Sequence, residues 1–283
     1  MNNPMITAHS GCEGTGIDTM ESIEKALTFN ADAVEIDIRM DPFGVLRISH
    51  DPLSIEDYFK KNPLSDVFDR ILPTSMMINF DIKEQAALYK TINAAHDFGF
   101  PTERLIFTGC TTPELLIKDP ELAHKAKFFL NLERVVKYVV SHRKGEFSLD
   151  IFNILMEDPF LLFIDRKSSI ISDNYLSKAS RIQQKLYEIS KTLMGKILED
   201  TVRIYQETHA AAANLSKILL WTSFDDELKA NNIQLSFWTV NEADFVQRCL
   251  EIGAYNITTR NIQLTRHIVS QNKMASNSIE HLA

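Results

Sequence analysis

Between residues 33 and 38 the chain alternates Val34, Ile36 and Ile38 with Glu35 and Asp37. A period of two predicts a β-strand with one apolar face, and it places both carboxylates together on the other. Asp41-Pro42-Phe43-Gly44 carries turn residues, and residues 45–48 return as a second strand. A turn centred between Pro42 and Phe43 sets His50 opposite Glu35 and Ile48 opposite Asp37, to within about one residue of register. A histidine then lies beside two acids. The alternation recurs over residues 77–83, where Asn79, Asp81 and Lys83 share one face and Ile78, Phe80 and Ile82 the other.

Strands and helices alternate around these stretches. Residues 5–8 form a short apolar strand ending at His9, followed by a glycine-rich loop and a helix capped by Asp18 or Thr19, with Ile23, Ala26 and Leu27 as its apolar stripe. The connection 52–73 reads as polar, with one helical piece around 54–60. Further on, the pattern predicts helix 85–98, strand 104–108, helix 113–124, strand 127–131, a weak strand at Asn214-Leu215, strand 235–241, helix 242–252 and a last strand at 255–258. With the return arm 45–48 set aside, the strands number eight, and βα alternation of that count predicts an α/β fold of the TIM (β/α)8 type. At 283 residues the chain suits one such barrel, which takes roughly 250 residues.

Residues 132–209 break the alternation, being longer than a βα unit requires, and 173–208 reads as one or two long helices rich in Lys, Glu, Gln and Leu. The expected organisation is a single domain over 1–283 with a helical insertion at 132–209. The apolar runs 152–156 and 160–164 suit packing within the insertion, the commonest use of such runs, ahead of closure over the barrel mouth, a dimer contact or a lipid contact. His124, His142 and His209, at helix ends or in the insertion, read as surface or capping residues.

Composition narrows the classes of function. A hydrophobic share of 45% supports a sizeable core, and a net charge of -8 with no basic face argues against a nucleic-acid partner. The three cysteines, Cys12, Cys110 and Cys249, lie far apart without a C-x-x-C, which predicts reduced thiols in a cytoplasmic protein rather than a disulfide framework. The N-terminal residues lack a basic region followed by an apolar one, so no signal peptide is expected. No run of about 18 uncharged apolar residues predicts a transmembrane segment.

Two carboxylates on one strand face repel each other unless they are solvated or bridged. A hard divalent cation, Mg2+ or Ca2+, bridges them through oxygen, whereas Zn2+ more often recruits Cys or His. An ordinary solvated acidic edge is the other reading of Glu35 and Asp37. Asp81 supplies a third carboxylate, and Lys83 suits either a phosphate or the acids themselves. His9 ends the first strand, where a parallel barrel presents catalytic side chains, although a structural donor fits the same place.

His9-Ser10-Gly11, Asp18-Thr19, Val34-Glu35-Ile36-Asp37, His50-Asp51-Pro52, Asn79-Phe80-Asp81-Ile82-Lys83 and Trp238-Thr239-Val240-Asn241 stand in the order and approximate spacing of the motifs of the glycerophosphodiester phosphodiesterase family. The chain resembles that family over residues 5–131 and 210–265. The resemblance implies a TIM barrel, one divalent cation and hydrolysis of glycerophosphodiesters to glycerol 3-phosphate and an alcohol. By the same resemblance Glu35, Asp37 and Asp81 hold the metal, His9 and His50 form the acid–base pair, Lys83 binds the phosphate and Trp238 walls the pocket. It further implies attack of the free 2-hydroxyl on phosphorus, with the cyclic product opened by water.

The departures from the family pattern are specific. The family's Arg after the first histidine is here Ser10, and its Pro-Glu-Asn-Thr is Gly16-Ile17-Asp18-Thr19, without the Glu. Phosphate charge then falls to Lys83, or to Arg39, Arg47 or Arg260. The family's C-terminal Thr-Asp reads Thr259-Arg260, which places a positive charge near the barrel rim. Sphingomyelinase D-like phospholipases share the barrel, both histidines, the acids and the Lys, and also lack that Arg. Three functions follow: a metal-dependent glycerophosphodiesterase, a phospholipase D-like enzyme acting on choline or lysolipid headgroups, or a non-catalytic phosphate-binding member. An exposed apolar face on the insertion beside the barrel mouth favours the second, and retention of five ionisable groups facing one cavity weighs against the third.

Overall fold

The computed structural model describes residues 3–162, 191–220 and 224–280, with Ser177, Ser180, Arg181 and Gln184 between them. The expected helical stretch from 173 is therefore described mainly from Lys191 onward, and the apolar run 160–164 only as far as Leu162; the remainder lies outside the described residues.

Eight parallel strands close into a TIM barrel: β1 (Met5–Ala8), β2 (Ala33–Met40), β4 (Met77–Ile82), β5 (Leu105–Gly109), β6 (Lys127–Asn131), β7 (Ala212–Ser216), β8 (Leu235–Trp238) and β9 (Asn256–Thr259), with β1 paired to both β2 and β9. The return arm β3 (Leu46–Ile48) joins β2 in antiparallel fashion. Its register is one residue from the expected one. Ile38 faces Ile48 and Met40 faces Leu46, which centres the turn on Phe43. Asp41 is the cause, because its carboxylate accepts the amides of Phe43 and Val45 at 2.9 Å and Arg47 Nε at 2.8 Å, while Gly44 takes φ 79°. A slip of one residue exchanges the faces of a strand. Ile48 therefore joins Ile38 in the core, and His50 approaches the barrel from beyond the arm instead of pairing across from Glu35.

The outward faces of the strands meet the helices. Val34, Ile36 and Ile38, then Ile78, Phe80 and Ile82, are buried there, and Phe80, Phe107 and Phe128 stack along adjacent strands at 4.9 and 5.7 Å between centroids. Helix α1 (Met20–Thr28) is capped by Thr19 Oγ1, which accepts the Ser22 amide. The connection expected to be polar holds α2 (Leu64–Ile71), whose Leu64, Val67, Phe68 and Ile71 are buried at helical spacing. Polar residues between those four conceal a stripe only two turns long. After α3 (Gln85–Asp97), the expected helix 113–124 is two pieces, α4 (Pro113–Lys118) and α5 (Leu122–Lys125). Pro120 separates them, since it disfavours helical backbone before it and supplies no amide.

Between β6 and β7 lie α6 (Leu132–His142), α7 (Leu149–Glu157) and α8 (Lys191–Glu207). From the described part of the apolar runs, Leu155 and Leu161 are buried in the main core, which also holds Val136 and Val140 of α6, and Phe152, Ile154, Met156 and Phe160 are partly buried against it. Helices α9 (Phe224–Ala230), α10 (Ala243–Glu251) and α11 (Ile262–Glu280) complete the ring. Among the described residues no helix is long and apolar enough to cross a membrane.

The barrel interior is layered. Ile106, Phe129 and Ala212, packed with Met5, Met77 and Tyr255, form an apolar floor. Above it runs a belt of hydrogen bonds: Thr7 Oγ1 to Asn256, Asn256 Nδ2 to Ser236, Ser236 Oγ to Asn214 and Asn214 Nδ2 to Asn131, at 2.7–2.9 Å. Buried from Thr7 to Ser236 and reaching the cavity at Asn214 and Asn131, these polar groups satisfy one another. The charged residues stand above the belt, at the carboxyl ends of the strands.

Candidate active site

A cavity of about 800 Å3 opens at that end of the barrel. Its walls include His9, Asp18, Glu35, Asp37, His50, Asp81, Lys83, Trp238 and Arg260. All seven residues expected at the site therefore reach one cavity. The parallel register sets Asp37 beside Asp81 and Glu35 beside Asn79, and one oxygen from each of Glu35, Asp37 and Asp81 lies within 4.8 Å of the others. Gly109, the last residue of β5, makes room for the third carboxylate, because a Cβ there would come within 2.0 Å of Asp81 Oδ1.

Lys83 donates to Asp37 Oδ1 at 2.8 Å and to Asp81 Oδ2 at 2.6 Å. Burial would lower its pKa, but Asp81 and Asp37 more than compensate and hold the ammonium above its ordinary range. Two of its three N–H groups are thus used by the acids, and one is left for the cavity. With all three carboxylates ionised, one ammonium would leave two negative charges uncompensated. Burial, reinforced by neighbouring charge, pushes Glu35 up to about 8 and Asp37 up to about 7. Asp81 Oδ1 is buried without a hydrogen-bond partner. An all-oxygen donor set, a deficit of two positive charges and an orphaned carboxylate oxygen together fit one hard divalent cation.

Lys83→Met is expected to destabilise the metal-free protein by about 3 kcal/mol, or less where a carboxylate takes up a proton, because it leaves buried acids without their ammonium. Thermal melts in EDTA should show the loss, and added Mg2+ or Ca2+ should restore part of it. An unchanged melting temperature in EDTA would show that the acids do not depend on Lys83.

His9 follows β1, and its Nε2 lies 3.8 Å from Glu35 Oε1. Its Nδ1 is 3.0 Å from the Ser10 carbonyl and 3.2 Å from Arg260 Nε. Burial is the main cause of a lowered His9 pKa, with the Arg260 charge acting in the same direction, which favours the neutral ring. His50 is farther out, with 62% of its side chain exposed and Nδ1 3.0 Å from Asp51 Oδ1.

Asp18, expected as a helix cap and as part of the Asp18-Thr19 motif but given no role in the site, is a buried part of it. Its φ of 56° turns the carboxylate inward, where Oδ1 accepts Ser10 Oγ at 3.0 Å and Oδ2 accepts the His50 amide at 2.6 Å. It thereby ties the loop after β1 to the residue that carries the second imidazole. An acid two residues after a glycine, in a loop adjoining His9, is the available signal for it in the sequence. Asn79, which shares the inward strand face with Asp81 and Lys83, also lines the cavity with Thr108, whose hydroxyl donates to Asn79 at 3.2 Å, and with the belt residues Asn131 and Asn214; the last three are uncharged and carry no distinctive pattern.

No protein-family model matches the chain, and no curated protein matches it in sequence. Its fold does have solved counterparts. A glycerophosphodiester phosphodiesterase from Parabacteroides distasonis superposes with a TM-score of 0.62 at 13% identity, covering 96% of this chain and 100% of that one. One from Thermotoga maritima gives 0.59 at 14% identity, over 95% of this chain and 99% of that one. An Oleispira antarctica phosphodiesterase, solved in complex with its product sn-glycerol 3-phosphate, gives 0.59 at 13% identity, over 95% and 97%. At such identities the likeness is one of architecture: this chain has the TIM-barrel fold of those phosphodiesterase structures.

Proposed function

We propose that the chain is a metal-dependent glycerophosphodiester phosphodiesterase, a phosphoric diester hydrolase that releases glycerol 3-phosphate and an alcohol. The observation that carries this is the convergence of Glu35, Asp37 and Asp81 with His9 and Lys83 in one cavity at the barrel mouth. The motif order supports it, as does a shared fold with a phosphodiesterase that holds sn-glycerol 3-phosphate. Residues 1–283 then form one catalytic barrel, with 132–209 as its helical insertion, and the reduced thiols suit a cytoplasmic location.

Glu35, Asp37 and Asp81 would hold the cation, Mg2+ or Ca2+, which when bound supplies positive charge to the phosphoryl oxygens. Neutral His9 takes the proton of the substrate's 2-hydroxyl as that oxygen bonds to phosphorus. His50, with Nδ1 against Asp51, gives a proton to the alkoxide whose bond to phosphorus breaks. Water then opens the cyclic phosphate, and the two histidines exchange roles. Lys83 turns its remaining N–H toward the phosphate, and Trp238 walls the cavity.

The test is release of glycerol 3-phosphate from glycerophosphocholine, glycerophosphoethanolamine and glycerophosphoglycerol with Mg2+, Ca2+ or EDTA, for wild type and Glu35→Ala. Turnover that requires both the metal and Glu35 is the expected result. Silence on all three substrates would remove the proposal.

One feature favours a phospholipase D-like enzyme acting on lysolipid or choline headgroups. Phe43, Ile55 and Phe59 are 67, 68 and 66% exposed, and they stand on the β2–β3 turn and the loop after it, rather than on the insertion. That loop also supplies Leu53, Asp57 and Lys60 to the cavity wall. Choline release from a lysophospholipid, with silence on the water-soluble diesters, would establish this second activity.

A further inference from the structure

The cations in the cavity wall are Lys60, Lys61, Lys83 and Arg260, and they are not equivalent. Lys83 is held by Asp37 and Asp81. Lys60 donates to Asp57 at 2.6 Å, and the charge of Lys61 acts on Asp51 at the rim. Arg260, the residue after β9, reaches back across the barrel seam to the end of β1. Its Nε donates to the Ser10 carbonyl at 3.0 Å and lies 3.2 Å from His9 Nδ1, while its backbone amide donates to Asn241 Oδ1 at 2.8 Å.

Among the described residues, Arg260 has no carboxylate within 4.0 Å, and its two terminal nitrogens have no hydrogen-bond partner. The other two candidate arginines are committed elsewhere. Arg47 is taken up by Asp41 and by the Lys61 carbonyl, each at 2.8 Å, and lies over the Tyr58 ring. Arg39 Nε donates to the His50 carbonyl at 2.8 Å, and Arg39 is absent from the cavity wall.

Arg260 is an exposed residue of the cavity wall; a guanidinium anchored there by Nε, with its terminal N–H groups unclaimed, presents the planar fork that fits two oxygens of one phosphate. Its charge is felt at both His9 and Glu35. We propose that Arg260 binds the phosphoryl oxygens of substrate and product, holding them over His9 and the acidic cluster, with the Ser10 carbonyl as its anchor. The position after His9 cannot supply this group itself, because Ser10 is small and buried, and its hydroxyl is bound to Asp18. The opposite end of the chain delivers a guanidinium to the same place. This assignment rests on the phosphodiesterase reading above, which predicts an anion in this cavity.

The experiment is calorimetric titration of inorganic phosphate into wild type, Arg260→Met and Arg260→Lys in Mg2+ buffer, alongside kcat and KM for glycerophosphocholine. Arg260→Met should weaken phosphate binding by about 10- to 100-fold, the usual range for charge-assisted hydrogen bonds. Arg260→Lys should recover only part of that loss, since it keeps the charge without the fork. Equal phosphate affinity in wild type and Arg260→Met would overturn the assignment, while hydrolysis by the wild type would leave the phosphodiesterase reading standing. Arginine-dependent phosphate binding without hydrolysis of any diester would keep the anion site and remove the reading. Absence of phosphate binding in all three proteins would also overturn the assignment.

Discussion

His9→Gln is expected to lower the rate of diester hydrolysis by about 10²- to 10⁴-fold, the ordinary cost of removing a positioned base. Glutamine keeps a polar side chain of similar reach beside Glu35 and the Ser10 carbonyl, so the fold should survive while the proton acceptor is lost. The pH dependence should separate a chemical role from a structural one. Burial and the nearby Arg260 charge hold His9 below its ordinary pKa, and a bound cation would lower it further. The wild-type rate should therefore rise through an acid limb below pH 6.5, and that limb should vanish from the residual activity of His9→Gln. A variant that keeps both the rate and the limb would take His9 out of the chemistry.

Stability of the metal-free protein should fall as pH rises from about 5 to 8. Glu35 and Asp37 have folded-state pKa values raised to about 8 and about 7, so across this window the folded chain holds protons that the unfolded chain has released. Unfolding then releases those protons, so the slope of stability against pH is negative. His9 opposes it, since a lowered histidine pKa adds stability as pH rises toward 6.5, but one imidazole is set against two carboxylates. The net loss should be on the order of a few kcal/mol, a tenfold difference in proton affinity between folded and unfolded chain being worth about 1.4 kcal/mol.

Melting temperatures in EDTA at pH 5, 6.5 and 8 would display the trend, and Glu35→Gln should flatten most of it. Mg2+ or Ca2+ should stabilise the protein more at pH 8 than at pH 5, because fewer protons must be displaced from the ligands. A melting temperature that climbs steadily with pH in EDTA would mean that the acids are solvated rather than crowded together.

Much of this site is legible in the chain as a line of residues. Alternation of Val34, Ile36 and Ile38 with Glu35 and Asp37, and its repetition around Asn79, Asp81 and Lys83, assigns inward and outward faces from period alone, since strand geometry leaves no third direction. Eight strands at βα spacing have one common closed solution, so the barrel follows, and with it the placing of strand-end residues at a single mouth. The short helix α2 is hidden because a stripe of four residues is weak against a polar background, and the apolar period over 113–124 runs on through a proline that the backbone cannot accommodate in one helix.

Other features depend on tertiary structure because they join residues distant in sequence. The turn clasped by Asp41 sets the hairpin register and sends His50 to the site from beyond the arm. Asp18 becomes a buried tie only when the loop after β1 meets the end of β3, and local pattern marks it merely as a cap. Lys83 could face a phosphate or the acids, and three-dimensional packing sets two of its N–H groups on Asp37 and Asp81. By sequence alone Arg39, Arg47 and Arg260 are equals. Barrel closure separates them by pairing β9 with β1, which brings residue 260 beside residues 9 and 10. Periodicity records which way a side chain points, whereas a partner 250 residues away is chosen by closure of the sheet.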